Sequence, residues 1–292
     1  MKKTSMSHSA VALGILTVAL VVSIGRAGEA PVVGAAASRP VSPLTRTHAH
    51  NDYEHPRPLL DALDQGFCSI EADVYLVDGQ LLVAHDRNKT SKERTLQALY
   101  LSPLRERIRR FEGRVYPGGP PCWLFIDLKT EAEATYAVLN TLLVEYQDML
   151  TRFEGERVMT NAVTVVVTGN RPRATIAAQG TRRVVYDGLL SDLETPVSNQ
   201  LVPIISEQWT KHFQWTGRGP MSSQDATKLR EVLQKAHTQK RLVRFWAAPD
   251  QAESWQAQFD AGVDLINTDN LPGMREFLLR QPSAAMPASD RK

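Results

Sequence analysis

The stretch THAHNDYEHPRPLLDALDQGFCSIEADVYLVDGQLLVAHD, running from Thr47 to Asp86, decides how this chain is read. It sets a histidine, a Glu-x-Asp pair and a second histidine at the ends of short apolar runs. CSIEADVYL has the make-up of a buried strand, and residues two apart on a strand share a face. Glu71 and Asp73 therefore project to one side, where confinement raises a carboxyl pKa unless a cation holds both. Asp78-Gly79 is a two-residue hairpin signal, so Gln80 to His85 is expected to return beside the run that carries the acids.

The next run downstream, CWLFIDLK, ends in the same kind of chemistry. Asp127 would add a third carboxylate from a neighbouring strand, with Lys129 two residues on and on the same face. Such oxygens suit one hard divalent cation, Mg2+ or Ca2+, with water and substrate completing its shell. An ammonium at Lys129 can contact a phosphate oxygen. His50 and His85 titrate near neutrality and are the natural proton-transfer pair. His48 shares the face of His50 and is a further candidate, whereas His55 reads as a loop residue. Asn51 and Asp52 follow His50 directly and are placed to orient an imidazole or touch phosphate. Arg244 and Trp246 end a later run, RLVRFW, and are expected at the substrate. Trp209 and Trp215 either line the pocket or pack beneath loops.

Eight β-rich runs recur: around 44–48, 68–74, 122–128, 162–168, 183–186, 201–205, 242–246 and 264–267. Helix-period segments separate most of them, with Pro58, Pro172 and Pro272 in positions suited to first turns and Gly66 and Gly262 suited to exits. Strands alternating with helices argue for a parallel sheet, and eight repeats argue for an α/β fold closed as a single (β/α)8 TIM barrel. A doubly wound open sheet is the rival. Position favours the barrel, because polar and titratable residues gather at the C-terminal ends of the runs, which converge on one mouth.

The ends of the chain read differently. Lys2 and Lys3, the apolar run from Ala10 to Ile24 and Gly25-Arg26-Ala27 form a signal peptide over residues 1–27, so export to the periplasm or outside the cell is expected. That run is too short for a hydrocarbon core about 30 Å thick. Residues 28–43 read as a linker, 44–280 as the barrel and 281–292 as a flexible tail. A formal net charge of +2, with no Lys/Arg run carrying interleaved aromatics, disfavours nucleic-acid binding. Cys68 and Cys122 fall on the outer face at the starts of neighbouring strands, as a disulfide or as buried free thiols.

HAHNDY, EADVYL, VAHD, RTLQALYLSPL and GVDLINTDNL together resemble the superfamily of phosphatidylinositol phospholipase C-like and glycerophosphodiester phosphodiesterase barrels. The pattern is most similar to the branch typified by altered inheritance of mitochondria protein 6. The resemblance implies that His50 and His85 are catalytic, that Glu71, Asp73 and Asp127 hold one divalent ion, and that Lys129 contacts phosphate. It implies a small-molecule or lipid phosphodiester as substrate, with transient membrane-surface contact where that substrate is a lipid. Two departures bear on the substrate: Asn51-Asp52 stands where glycerophosphodiesterases have Arg-Gly, and Asp127 where they have Glu. Asp at that position is similar to sphingomyelinase D-like members.

Two other readings compete. His48-Ala49-His50 also suits a zinc amidohydrolase barrel, although no histidine lies between His85 and His212 to complete such a site. The other is an exported head-group-binding barrel without turnover.

Overall fold

The computed structural model describes residues 41–281. The expected signal peptide, most of the linker and all but the first residue of the tail lie outside the described residues.

The elements in chain order begin with β1 (Thr47–Ala49), α1 (Leu60–Gln65), β2 (Ser69–Val77), β3 (Gln80–Val83), α2 (Ser102–Arg110), β4 (Cys122–Leu128) and α3 (Ala132–Glu145). There follow β5 (Arg152–Glu154), β6 (Arg157–Met159), β7 (Val163–Gly169), α4 (Arg173–Ala178), β8 (Thr181–Arg182), β9 (Val184–Gly188), β10 (Ile204–Gln208) and α5 (Trp209–His212). The chain closes with α6 (Ser223–Thr238), β11 (Leu242–Trp246), α7 (Ala252–Ala261), β12 (Leu265–Thr268) and α8 (Leu271–Arg280).

Eight parallel strands pair in the order β1, β12, β11, β10, β9, β7, β4, β2, and β1 pairs with β2 through Ala49 and Ile70. That last pairing closes the ring, so the fold is a (β/α)8 barrel and the open-sheet alternative is excluded. All eight predicted runs supply its strands. The register places Asp73 beside Asp127 and Asp127 beside Thr168, which brings their side chains to one level of the wall.

Alternation along the strands sorts the interior into two layers. Phe125, Val166, Val185, Ile204 and Leu265 form a buried apolar cluster joined by Phe153 of β5. Two residues further along the same strands stand Asp127, Thr168, Asp187, Ser206 and Asn267, on the same face. An apolar plug therefore underlies a polar floor that faces the strand C-termini. The opposite faces, including Ile70, Ala72, Leu124, Ile126, Val165 and Val167, pack in the larger core against the helices.

β3 returns antiparallel to β2, with Val74 opposite Val83. Asp78 and Gly79 both have positive φ, at 49° and 77°, as a type I′ turn demands. The hairpin therefore returns His85 to the mouth. Three parts of the architecture were not foreseen: α2, the short α5, and a small antiparallel sheet of β6, β5 and β8. Cys68 and Cys122 are buried free thiols on the outer face.

Candidate active site

Glu71, Asp73 and Asp127 each direct a carboxylate oxygen into one group whose atoms lie within 4.8 Å of one another. β2 supplies two of the three at strand spacing and β4 supplies the third across a parallel register. Their environments differ. Glu71 Oε2 accepts from His48 Nε2 at 3.0 Å and from Arg244 Nη2 at 2.8 Å. Burial alone would favour its neutral form, but Arg244 and His48 outweigh burial and hold it well below the usual carboxylate range. Asp73 is pushed up to about 7 by burial and by the charges of Glu71 and Asp127, against the pull of Lys129 and Tyr53. Burial likewise raises Asp127, with Glu71 adding to the effect and Lys129 opposing it.

Two observations show that these residues fit a cation. Asp127 Oδ1 is buried without a hydrogen-bond partner, and a buried carboxylate oxygen in that condition carries a full desolvation penalty. The space around it is kept open by Gly169, whose φ is +70° and where an added Cβ would fall 1.8 Å from that same oxygen. Lys129 Nζ sits 3.0 Å from Asp73 Oδ2 and 2.7 Å from Asp127 Oδ2, bridging the two less stabilised acids. Burial lowers its pKa, yet Asp127 and Asp73 outweigh that and keep it protonated. With all three carboxylates ionised against Lys129 and Arg244 the site stays net negative, which suits a hard divalent ion.

The two catalytic candidates are held in different ways. His50 follows β1, and its backbone N–H donates to Thr268 O. Its Nδ1 lies 2.7 Å from Asp269 Oδ1, and Asn51 Nδ2 reaches the same carboxylate at 3.3 and 3.4 Å. Burial disfavours the imidazolium, but the Asp269 bond and the charge of Glu71 outweigh it and raise the pKa of His50. His85 is half exposed at the hairpin end, with Nδ1 3.1 Å from the Tyr53 hydroxyl and 4.0 Å from Asp73 Oδ2. The Tyr53 hydroxyl lies 2.7 Å from both Asp73 Oδ2 and Asn51 Oδ1, two acceptors within reach of its single proton. This phenol links the hairpin histidine, the carboxylates and the His50 loop.

A domain family described as AIM6-like phosphodiesterase matches residues 35–114 and 120–187, just over half the chain. The chain belongs to the AIM6-like phosphodiesterase family. Residues 243–272 also match the glycerophosphoryl diester phosphodiesterase family. An altered inheritance of mitochondria protein 6 homolog from Arthroderma benhamiae is 28% identical over 260 residues, covering 79% of this chain and 82% of that protein. The Eremothecium gossypii protein of the same name is 29% identical, covering 82% and 71%. Among solved structures, a glycerophosphodiester phosphodiesterase from Agrobacterium tumefaciens is 18% identical with a TM-score of 0.46, covering 80% of this chain and 95% of that one. An Oleispira antarctica phosphodiesterase in complex with the product sn-glycerol-3-phosphate is 12% identical with a TM-score of 0.47, at the same coverage.

The AIM6-like match spans His50, Glu71, Asp73, His85, Asp127 and Lys129, all of which the fold brings to the barrel mouth. Trp246 is there too, 36% exposed at the end of β11. Two expected substrate contacts lie elsewhere. Asp52 is fully buried, and its Oδ2 accepts from Leu59 N–H at 2.5 Å and the Tyr100 hydroxyl at 2.8 Å. It secures the turn into α1 instead of facing phosphate. Arg244 is 3% exposed and joins Glu71, Asn267 and Ser206 inside the barrel, so it positions Glu71. His48 is also interior: Ser69 and Glu71 occupy its two nitrogens, and burial lowers its pKa to about 3. Among the described residues the group able to hold a metal is all-carboxylate, which leaves His48-x-His50 without the company a zinc pair requires. Asp269 and Tyr53 were missed. Asp269 stands in the quoted NTDN at the end of the eighth run, which was its only sequence signal.

Proposed function

We propose that this protein hydrolyses a phosphodiester derived from a phospholipid or from a glycerol or inositol phosphate, using one divalent cation, Mg2+ or Ca2+. The observation that carries this reading is the convergence of Glu71, Asp73 and Asp127 with His50 and His85 at one barrel mouth. A cation held by the three carboxylates would supply Lewis acidity and offset charge on the phosphoryl oxygens.

The remaining chemistry belongs to the side chains. Asp269 favours the protonated form of His50, which suits it to give a proton to the leaving oxygen. His85, on the opposite arm of the Tyr53 hydrogen bonds, is left to take a proton from the attacking water or substrate hydroxyl. Lys129 offsets the negative charge that develops on phosphorus-bound oxygens. Trp246 offers an apolar surface for a head group or alkyl arm. For a lipid substrate the site would be used in transient contact with a membrane surface. Export is part of the same proposal and rests on the N-terminal sequence; cell fractionation checks it.

The deciding experiment is hydrolysis of bis(p-nitrophenyl) phosphate by the purified protein with each divalent metal in turn. Turnover with Mg2+ or Ca2+ supports the reading. No turnover on this or a broad diester panel, with every metal tried, sinks it in favour of a binding barrel. A tightly held zinc in the purified protein would count for the amidohydrolase reading.

A further inference from the structure

A cavity of about 700 Å³ opens beside the carboxylates, lined in part by Glu131, Gly169, Arg171, Arg173 and Leu189. It lies past the C-terminal ends of β4 and β7, the same end of the barrel as the triad. Gly169 is common to both: it lines the cavity, and a Cβ on it would meet Asp127. A glycine backbone is therefore the partition between the cavity and the acid that would hold the cation. The cavity thus adjoins Asp127 across a single residue, on the side where one arm of a substrate held at the triad would extend.

Two arginines, Arg171 and Arg173, line the cavity. Arg171 pairs through Nη1 with the buried Asp187 at 3.0 Å, and Arg173 pairs through Nη1 with Asp192 at 3.0 Å. Each arginine is thereby anchored by one nitrogen, while a guanidinium presents five donors in a planar fork. The second edge of the Arg173 fork stays available, and bidentate recognition of a carboxylate or phosphate needs such an edge, whereas Arg171, whose Nε is buried, contributes positive charge from behind. Glu131 does not compete, because its two oxygens cap α3 by accepting from Glu133 N–H and Ala134 N–H. Leu189, 36% exposed, adds an apolar contact for the connecting atoms.

We infer that this cavity takes an oxyanion on one arm of the substrate, so that the preferred substrate is a phosphodiester carrying a second negative charge. This rests on the proposed phosphodiesterase activity and names a substrate class for it. Carboxylate and phosphate monoester share the required chemistry, and the experiment separates them.

The test uses p-nitrophenyl phosphodiesters whose second arm is a propyl chain ending in a hydroxyl, a carboxylate or a phosphate. Turnover of the anionic arms about tenfold more efficient in kcat/KM than the hydroxyl arm is expected, as one added charge-assisted bond of 1.4 kcal/mol would give. The better of the two anions identifies the group. Arg173→Gln should erase the preference, and because Arg173 is more than one-third exposed this variant leaves the core untouched. Arg171→Lys should leave most of it in place, since a lysine keeps the charge that Arg171 contributes. Calorimetry with glycerol phosphate and glycerol bisphosphate reads the same preference without turnover, and Arg173→Gln should remove the advantage of the bisphosphate. Equal kcat/KM on charged and neutral arms, or equal binding of the two glycerol phosphates, overturns the inference while turnover of the simple diester leaves the phosphodiesterase reading standing. A preference that survives Arg173→Gln overturns it as well.

Discussion

His50 Nδ1 and Asp269 Oδ1 lie 2.7 Å apart, joining the residue after the first barrel strand to the residue after the last. The pair spans the closure of the ring, and the carboxylate holds the imidazole by an atom other than the one that would serve the substrate. Asp269→Asn keeps the shape and removes the charge. Activity should fall by roughly 10- to 100-fold, the usual loss when a carboxylate behind a working histidine is changed. Asp269 raises the pKa of His50, so without it the limb of the pH–rate profile that reports His50 should move to lower pH. An unshifted profile in the variant would refute the pairing.

His50→Ala and Glu71→Ala should each lower turnover of an activated diester by at least about 100-fold, the lower bound for loss of a general acid. Glu71 is the more demanding case, because its removal strands Arg244 inside the barrel. Circular dichroism of both variants separates a lost site from a lost fold. Wild-type rates in either would show that the chemistry is done elsewhere.

Arg244 tests the buried network from the other side. Arg244→Met leaves Glu71 ionised in a dry interior with only His48 beside it, and destabilisation of roughly 3 to 5 kcal/mol is expected for half of a buried pair. Urea denaturation measures it. A loss below about 1 kcal/mol would mean that water reaches Glu71 and that the pair behaves as a surface ion pair.

Gly169→Ala should weaken divalent-cation binding by at least about tenfold, the scale on which disturbed ligand support acts. The new methyl group would have to displace Asp127, and the backbone at φ +70° resists any side chain. Titration of the purified variant with Mg2+ and Ca2+, followed by calorimetry, reads this directly. Unaltered affinity would remove Asp127 from the ligand set.

Asp52 gives a pH signature independent of the site. Burial raises its carboxyl to about 7 in the folded protein, against an ordinary value of 3.8. Between those values the folded state binds the extra proton, so this group's contribution to stability is full below 3.8 and is lost as pH rises through 7. Asp52→Asn keeps an oxygen to accept from Leu59 N–H and the Tyr100 hydroxyl. Thermal melts of the variant should therefore fall less steeply from pH 4 to 8 than those of the wild type. Parallel curves would show that Asp52 is ionised when folded.

Much of the barrel was legible because its determinants are local. Period-two spacing put Glu71 with Asp73, the Asp78-Gly79 turn fixed the hairpin, and an apolar run ending at Asp127 marked the adjoining strand. Depth was not legible. Arg244 and Trp246 look alike as polar and aromatic residues near a strand end, yet two residues along a strand is about 6.6 Å, enough to separate the interior from the mouth. Asp52 misled for a related reason: Asn51 has φ 49°, and this left-handed step turns the chain so that adjacent residues part, Asn51 toward His50 and Asp52 into the core. The small sheet of β5, β6 and β8 has strands of two or three residues, too short to show a period.

The hairpin of β2 and β3 divides the inheritance of this enzyme-like mouth into two portions. His50 and the three acids are set by the closed ring, where a change in one strand is felt by its neighbours. His85 arrives on a detour appended to that ring, beyond the Asp78-Gly79 turn. Insertions or swaps in the detour can alter reach and clearance around the reacting group while the ligand set stays intact. Descendants of such a chain could therefore change what they act on by editing a peninsula and leaving the continent alone.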